Sequence, residues 1–235
     1  MFYKSIYDIE WKYYDLLYGD YSEDIAFYNN IVKNDVLELM CGTGRISSKL
    51  KNANTIGIDN DDRMLKEAEK KKLNCIKQDV KSFHLDKKFD YVLIPLNSLL
   101  LFERDDKEKI LKLSREHLKE NGKIIVDIIP PLDFEESMVY LGDHRISENL
   151  EIWRFFVPNF SDDMMVLNLT YFYDIYENST YRRDSAVLVL YLENFETMKE
   201  IIKNSGLKID NVYGSYNMKK FVPEESAKMI FILKK

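Results

Sequence analysis

Residues 35–47 read DVLELMCGTGRIS, an apolar strand that runs directly into a turn with two glycines, Gly42 and Gly44. Glycine permits the tight backbone of such a turn and lets a ligand approach the main chain closely. Strand-to-helix turns of this kind bind dinucleotides, nucleotides and other adenosine ligands alike. The stretch therefore predicts a ligand site at the end of a strand, and the neighbouring residues must decide which ligand fits.

Those neighbours argue against a phosphate ligand. The dinucleotide fingerprint has a third glycine where this chain has Ser47. Phosphate-binding loops have Gly-Lys-Ser/Thr, whereas here Gly44 is followed by Arg45. A carboxylate at Glu38, inside the strand, would repel a pyrophosphate but attract a ligand that carries an amine and a sulfonium.

Two further acids follow the next strands. Asp59 ends TIGID, where a doubly wound fold places an acid against ribose hydroxyls. Asp79, in IKQDV, can accept a hydrogen bond from an adenine amino group while Val80 covers the ring. Each aspartate alone is also a common turn or cap residue. Together with Glu38 and the glycines, at successive strand ends, they predict one site.

The order of elements predicts the fold. In the first half, short apolar runs alternate with amphipathic helical stretches at 62–72 and 105–119, which is typical of a doubly wound parallel sheet. Asp105 is the candidate cap of the second helix, and ENG at 120–122 is its stop signal.

The second half of the chain has a different pattern. The runs EIWRFFV, MMVLNLTYFYDIY and SAVLVLYLE follow one another without a long helix and predict an antiparallel insertion. A helix with Asn194 as its cap and Gly206 as its terminator comes next, and two strands close the chain.

The composition limits the binding partners and the cellular location that we expect for this protein. A formal net charge of −6 without a basic block argues against a nucleic-acid partner. Cys41 and Cys75 are too few for a metal cluster or a disulfide framework, and no signal peptide precedes them, so we expect a cytoplasmic protein with free thiols. No apolar run approaches the roughly 20 residues of a membrane helix.

The motifs resemble those of class I S-adenosylmethionine (SAM)-dependent methyltransferases. The resemblance implies an α/β fold, a Rossmann-like doubly wound seven-stranded sheet with an antiparallel β insertion that forms a substrate lid. The insertion is similar to that of small-molecule N-methyltransferases acting on glycine-type or aminosugar amines. The matching stretches are VLELMCGTGRIS (36–47), GIDND (57–61), IKQDV (76–80), FDYVLIPLNSLLLF (89–102), HLKENGKIIVDIIPP (117–131) and the tail from residue 195.

The same resemblance implies three segments. Residues 1–131 would form the SAM-binding core with an N-terminal lid segment, residues 132–193 the antiparallel substrate cap, and residues 194–235 the helix and strands that complete the core sheet. The cofactor would be SAM and the partner a small-molecule methyl acceptor, with no nucleic acid and no membrane. Monomer and homodimer both stay open.

The resemblance also assigns residues to parts of SAM. Glu38, Gly42 and Gly44 would border the methionyl portion, Asp59 the ribose, and residues 79–80 the adenine.

Four further candidates have alternatives. Met64 either packs on the adenine or belongs to a helix core. Tyr14 and Tyr21, in YYDLLYGDY, either touch the carboxylate or sulfonium of SAM or belong to ordinary core packing. Asn97 follows the fourth strand, on the substrate side or the SAM side. The cofactor-binding candidates are therefore Tyr14, Tyr21, Glu38, Gly42, Gly44, Asp59, Met64, Asp79, Val80 and Asn97.

The type of methyl acceptor, amine or hydroxyl, can be judged from the chemistry that each one needs. An amine needs only to be neutral before it attacks the methyl group, whereas a hydroxyl usually needs a base or a metal. His144, at the entry to the insertion, is the catalytic candidate, since histidine titrates near neutrality, with a loop histidine as the alternative. No metal site is predicted, because Ile128 replaces the asparagine that metal-dependent catechol-type enzymes pair with an acid at Asp127, here a candidate loop-edge acid.

The sequence thus predicts a SAM-dependent methyltransferase of a small molecule, at an amine rather than a hydroxyl. The alternatives are an NAD(P)-linked oxidoreductase, which Ser47 and Glu38 disfavour, a SAM-dependent RNA or protein methyltransferase, and a SAM-binding module without catalysis. The Asn/Asp-Pro-Pro-aromatic turn of nucleobase and glutamine methyltransferases is absent after the fourth strand, where the chain reads IPLNSLL.

Overall fold

The computed structural model describes residues 4–19, 21–131, 138–161, 163 and 165–235. The chain divides into two compact units. The core unit comprises residues 21–130 and 193–235, and the insertion unit comprises residues 1–20 and 131–192. The sequence groups the first residues with the core, whereas the structure groups them with the insertion.

Helices and strands alternate through the core unit, and strands dominate the insertion unit. The helices of the described residues are α1 (Tyr7–Glu10), α2 (Tyr14–Tyr18), α3 (Glu23–Ile31), α4 (Asp62–Lys70), α5 (Arg104–Glu116) and α6 (Phe195–Asn204). The strands are β1 (Asn34–Leu39), β2 (Ala53–Asp59), β3 (Asn74–Lys77), β4 (Phe89–Ile94), β5 (Leu118–Ile128), β6 (Tyr140–Ser147), β7 (Leu150–Phe160), β8 (Val166–Glu177), β9 (Thr180–Tyr191), β10 (Lys208–Tyr213) and β11 (Met229–Lys234).

The core unit is built on a seven-stranded sheet with the order β10-β11-β5-β4-β1-β2-β3. The strands from β5 to β3 are parallel, and β11 runs antiparallel to both β5 and β10. This confirms the predicted doubly wound sheet with a closing antiparallel hairpin. Because the chain leaves β1 for β2 on one side and returns to β4 on the other, the sheet has its switch point between β1 and β4, where ligands of such folds bind.

The apolar run in β1 is explained by burial on both faces of the sheet. Val36, Leu37 and Leu39 are all 0% exposed. Continuous hydrophobic runs are what a central parallel strand requires. Helix α3 covers one face, where Phe27 and Tyr28 pack with residues of β1, β4, β5 and β11.

Two helix boundaries agree with the sequence prediction. In α6 the side chain of Asn194 accepts a hydrogen bond from the amide of Thr197 at 2.9 Å. Gly206 follows the helix with φ +71°, which is the left-handed conformation of a glycine terminator. In α4 the predicted apolar face is buried, and the cap is Asp61.

The predicted boundaries of α5 are wrong. Glu103 precedes the helix without a side-chain cap, so Asp105 lies inside the first turn. The helix ends at Glu116, and residues 120–122 belong to β5. The cause is tertiary, because Leu118 is 1% exposed and pairs with Phe89 of β4, which draws the chain into the sheet before the glycine is reached.

The insertion unit contains the predicted antiparallel sheet, which has four strands in the order β6-β7-β8-β9, one more than the three runs in the sequence indicate. Apolar residues of α1 and α2 pack on one face of it. A buried ionic cluster adds to this packing, since Arg154 on β7 donates to Glu10 of α1 at 2.7 Å and also pairs with Asp143 on β6. The hydroxyl of Tyr173 donates to the same Glu10 at 2.8 Å. Among the described residues, no helix has the length and apolarity needed to cross a membrane.

The two cap sites give a stability prediction. We expect Asn194→Ala to lower the free energy of unfolding by about 1 kcal/mol, because the Thr197 amide loses its acceptor. Asp105→Ala should cost only a few tenths of a kcal/mol, since that acid interacts with the helix dipole alone. Urea denaturation of both variants measures the difference, and equal losses would contradict the cap assignment.

Candidate functional site

The glycine turn leaves β1 through backbone that favours glycine. Gly42 has φ +54° and Gly44 has φ +70°. A Cβ on Gly44 would lie 2.0 Å from Cδ1 of Leu73, so the Leu73 side chain would have to move, whereas a Cβ on Gly42 would meet Sδ of Met64 only at 3.9 Å. A short 3-10 helix, Ser47–Lys49, follows the turn, in place of the α-helix that the sequence predicts.

Glu38 is held beneath this turn. The side chain is 2% exposed, and its Oε2 accepts hydrogen bonds from the amide of Ser47 at 3.1 Å and from the Ser47 hydroxyl. Burial raises the pKa of Glu38 to about 7, against the lowering effect of the Ser47 bonds. Ser47, which replaces the third glycine of a dinucleotide site, therefore serves here to orient a buried carboxylate.

Asp59 joins the turn to the second strand. Its Oδ2 accepts from the amide of Gly42 at 2.8 Å and its Oδ1 from the amide of Asp61 at 2.9 Å. Burial raises its pKa, and these backbone hydrogen bonds oppose the rise. The structure thus places Gly42 close to both Asp59 and the buried Met64, and the roles of these residues toward SAM stay predictions.

The third strand ends beside Asp59. The amide of Gln78 donates to the backbone oxygen of Asp59 at 3.0 Å. Asp79 is exposed, and its Oδ1 accepts from the amide of Lys81 at 2.8 Å, which is the geometry of a turn residue. Val80 is 5% exposed. The turn role of Asp79 is therefore visible, and its role toward adenine stays a prediction.

A buried ion pair, not foreseen from the sequence, fixes the far side of the turn. Arg45 and Asp24 are 3% and 1% exposed and form a salt bridge. Arg45 also donates to the backbone oxygen of Tyr21 at 3.1 Å, while the Tyr21 side chain is 50% exposed. The signal available in the sequence is an arginine directly after the second glycine and an acid at the start of α3.

The fourth strand ends in a turn that is bonded to β5. Asn97 has φ +63°, its amide donates to the backbone oxygen of Asp127 at 2.9 Å, and its Oδ1 accepts from the amide of Ile129 at 2.8 Å. Asp127 is 0% exposed, so it is not the loop-edge acid that the sequence suggests.

Tyr28 supplies an unsatisfied group in the core unit. Its hydroxyl is buried and has no hydrogen-bond partner among the described residues. Desolvation, followed by the nearby charge of Asp127, raises its pKa well above the ordinary value, and Glu38 adds a smaller effect of the same sign. Buried hydroxyls of this kind are normally satisfied by water or by a ligand atom.

Tyr14 and His144 belong to the insertion unit. The Tyr14 ring lies 4.5 Å from that of Tyr18. His144 stacks on Trp153 with ring centroids 3.6 Å apart, and its Nε2 lies 2.9 Å from Oε1 of Glu151. The roles of Tyr14 toward SAM and of His144 as a base stay predictions.

Over the described ranges, no group of three or more His, Cys, Asp or Glu side chains is placed to hold a metal ion. Cys41 and Cys75 are free thiols.

The segment that contains the turn and these acids is similar to known methyltransferases. Residues 36–122 match a family model described as a methyltransferase domain. Residues 36–122 are therefore similar to a methyltransferase domain, for which the expected cofactor is SAM. The acids fit this cofactor, since Glu38 and Asp59 are buried or partly buried carboxylates beside a turn with space above Gly42. No curated protein sequence matches the chain.

Solved structures extend the likeness beyond this methyltransferase domain. A SAM-dependent methyltransferase from Clostridium acetobutylicum is 24% identical, covers 98% of this chain and 99% of its own, and has a TM-score of 0.80. The sugar N-methyltransferase KedS8 from Streptoalloteichus is 16% identical, with 100% and 95% covered and a TM-score of 0.77. The amino pentose methyltransferase CalS10 from Micromonospora echinaspora, solved with SAM, is 16% identical, with 100% and 99% covered and a TM-score of 0.75. At these identities the likeness shows the fold.

Glu38 makes the stability of the folded protein depend on pH. Its folded pKa of about 7 lies above the ordinary 4.5, so the folded protein holds a proton that the unfolded chain has released. The stability that this proton confers is lost as pH rises through that window. We expect Glu38→Gln to raise the free energy of unfolding, relative to wild type, by up to about 3 kcal/mol at about pH 8 and by little near pH 4.

Binding of SAM should show the opposite dependence. The cation favours the ionised carboxylate, so wild-type affinity should rise across the same window while that of Glu38→Gln stays flat. Denaturation and calorimetry at the two ends of the window measure both effects. A wild-type affinity that is independent of pH would count against a role for the Glu38 charge.

Asp59 is expected to act in both binding and folding. Asp59→Ala should weaken SAM binding at least about tenfold, because charge-assisted bonds to ribose hydroxyls are worth roughly 1.5–3 kcal/mol each. It should also lower the free energy of unfolding by about 1–2 kcal/mol, since two amides lose their acceptor. The control is Asp61→Ala, which removes the α4 cap at a cost of about 1 kcal/mol and should leave SAM affinity unchanged. Equal SAM affinities for the two variants would contradict the ribose assignment.

Proposed function

We propose that this methyltransferase transfers the methyl group of SAM to an amine on a small molecule, and that amino sugars are the acceptor class to test first. The observation that carries the proposal is the likeness to an amino pentose methyltransferase and a sugar N-methyltransferase over all of this chain, the four-stranded insertion sheet included. Glycopeptide N-methyltransferase structures are also similar, over 90% or more of the chain.

The core unit has the groups that this cofactor needs. SAM supplies an electrophilic methyl group on a sulfonium, whose leaving group departs without a proton. The Gly42 backbone leaves space for its methionyl portion, and Glu38 offers a buried carboxylate whose ionised form suits its cationic centres. Asp59, at the end of β2, has the position of the ribose acceptor in doubly wound folds. Residues 79–80 complete the proposed site on the adenine side.

An amine acceptor fits the chemistry of the site. The reaction requires a neutral amine whose nitrogen lies in line with the methyl carbon and the sulfur of SAM. Alignment of these atoms therefore supplies much of the acceleration. An ammonium acceptor must lose one proton first, and we retain His144 as the candidate base for that step. The contact of His144 Nε2 with Glu151 supports this role, since a carboxylate at this distance orients the imidazole.

A paired acceptor screen tests the proposal. The full chain is incubated with SAM and a panel of amino sugars, free and nucleotide-linked, each matched with the analogue that has a hydroxyl in place of the amine. We expect S-adenosylhomocysteine and an N-methylated product with the amines, at rates at least about tenfold above the hydroxyl analogues, because the amine alone attacks without activation.

The controls separate the other functions. Asp59→Ala, which should bind SAM poorly, serves as the background. Transfer to hydroxyl analogues, to tRNA or to protein, with none to any amine, would overturn the proposal. Binding of NAD without binding of SAM would favour an oxidoreductase instead.

A further inference from the structure

Asp127 is a buried acid that the cofactor assignments leave unused. It is the next-to-last residue of β5 and is 0% exposed. Its Oδ1 accepts from Nζ of Lys228 at 2.9 Å, and its Oδ2 accepts from the Tyr216 hydroxyl at 2.6 Å. Both carboxylate oxygens are therefore engaged, and the lysine balances the charge.

The same residue is bonded to the turn that leaves β4. Oδ2 of Asp127 accepts from the amide of Leu96 at 3.3 Å, and its backbone oxygen accepts from the amide of Asn97 at 2.9 Å. Leu96 has φ +52° and Asn97 has φ +63°. Consecutive left-handed residues without glycine are strained, and such strain persists where surrounding bonds enforce it. Asp127 supplies two of these bonds.

The strained turn lies at the switch point of the sheet. Leu93 of β4 pairs with Glu38 of β1, and the turn follows two residues later at the carboxyl end of β4. This edge is where ligands of doubly wound folds bind. The Oδ1 of Asn97 accepts from the amide of Ile129, and its Nδ2 group, with two donors, makes no hydrogen bond within the described chain.

The other partners of Asp127 come from the segment between β10 and β11. The Tyr216 ring lies 5.9 Å from the Phe27 ring of α3, and Nζ of Lys228 lies 4.8 Å from the Tyr216 ring centroid. One carboxylate therefore connects the β4 turn, β5 and the closing hairpin.

We propose that Asp127 is a positioning residue for methyl transfer. It holds the turn at residues 95–97 in its strained conformation, so that the side-chain amide of Asn97 is fixed to donate a hydrogen bond to the molecule that accepts the methyl group. The proposal rests on the proposed function. Asp127 itself is bonded only within the protein, since both its oxygens are occupied, and it acts through Asn97.

A pair of tyrosine variants tests this. Tyr216→Phe removes the hydroxyl on Asp127 and keeps the ring on Phe27. The matched control is Tyr213→Phe, because the Tyr213 ring also packs on Phe27, at 5.8 Å, while its hydroxyl makes no hydrogen bond within the described chain. Asp127→Asn is the second variant at the centre of the cluster.

Hydrogen exchange of the full chain, with S-adenosylhomocysteine bound, is the first measurement. We expect exchange at the amides of Leu96 and Asn97 to rise at least about tenfold in Tyr216→Phe and Asp127→Asn, and to stay unchanged in Tyr213→Phe. Affinity for S-adenosylhomocysteine should stay within about threefold of wild type, since the glycine turn is untouched. The proposal would be overturned if amide exchange increased equally over β5 and β11, or if it did not increase at Leu96 and Asn97.

Turnover is the second measurement, with the best amine of the acceptor screen. We expect Tyr216→Phe to lower kcat about tenfold with the KM for SAM unchanged, as befits a residue that orients the acceptor. A wild-type kcat in a variant whose turn exchanges faster would also overturn the proposal. Failure of the proposed function looks different, because no amine would then be methylated by wild type while the exchange measurement still reports on the turn.

Discussion

The hydrogen bond from the Gly42 amide to the Asp59 carboxylate connects two neighbouring strands at the carboxyl edge of the core sheet. It joins the exits of β1 and β2, which are neighbours in the sheet but are separated along the chain by the whole glycine turn. The second oxygen of Asp59 accepts from Asp61, the residue that caps α4. One carboxylate thus fixes the turn, the helix that follows β2 and the packing of Met64 beside Gly42.

Buried acids of the core unit fall into two classes by their partners. Asp24 and Asp127 are paired with Arg45 and Lys228, so their charges are balanced within the protein. Glu38, like Asp59, accepts instead from uncharged groups. Amide and hydroxyl donors orient a carboxylate without neutralising it, which leaves net negative charge at this edge. A cationic ligand is favoured there, and a pyrophosphate is not.

The sequence predicted the structure correctly where local structure depends on residues that are close along the chain. The strand before Gly42 and the cap at Asn194 could be predicted because local propensity and burial agree there. The end of α5 could not, since Leu118 is drawn into β5 by pairing with Phe89, a contact far away in sequence. The ion pair of Arg45 and the cluster around Asp127 were missed for the same reason.

A buried carboxylate and a left-handed turn lie at one edge of the core sheet, although other left-handed residues, such as Asn178 and Ser179, lie elsewhere in the chain. Glu38 is buried without a cation, and Leu96 and Asn97 are held in left-handed conformations, all at the carboxyl ends of β1 and β4. Each feature costs stability, and the apolar strands beneath, such as Val36 and Leu37 at 0% exposure, offset the cost. Natural proteins retain such costs mainly where function needs them. Glu38 and the strained turn at Leu96 and Asn97 therefore lie at the same edge of the sheet as the glycine turn.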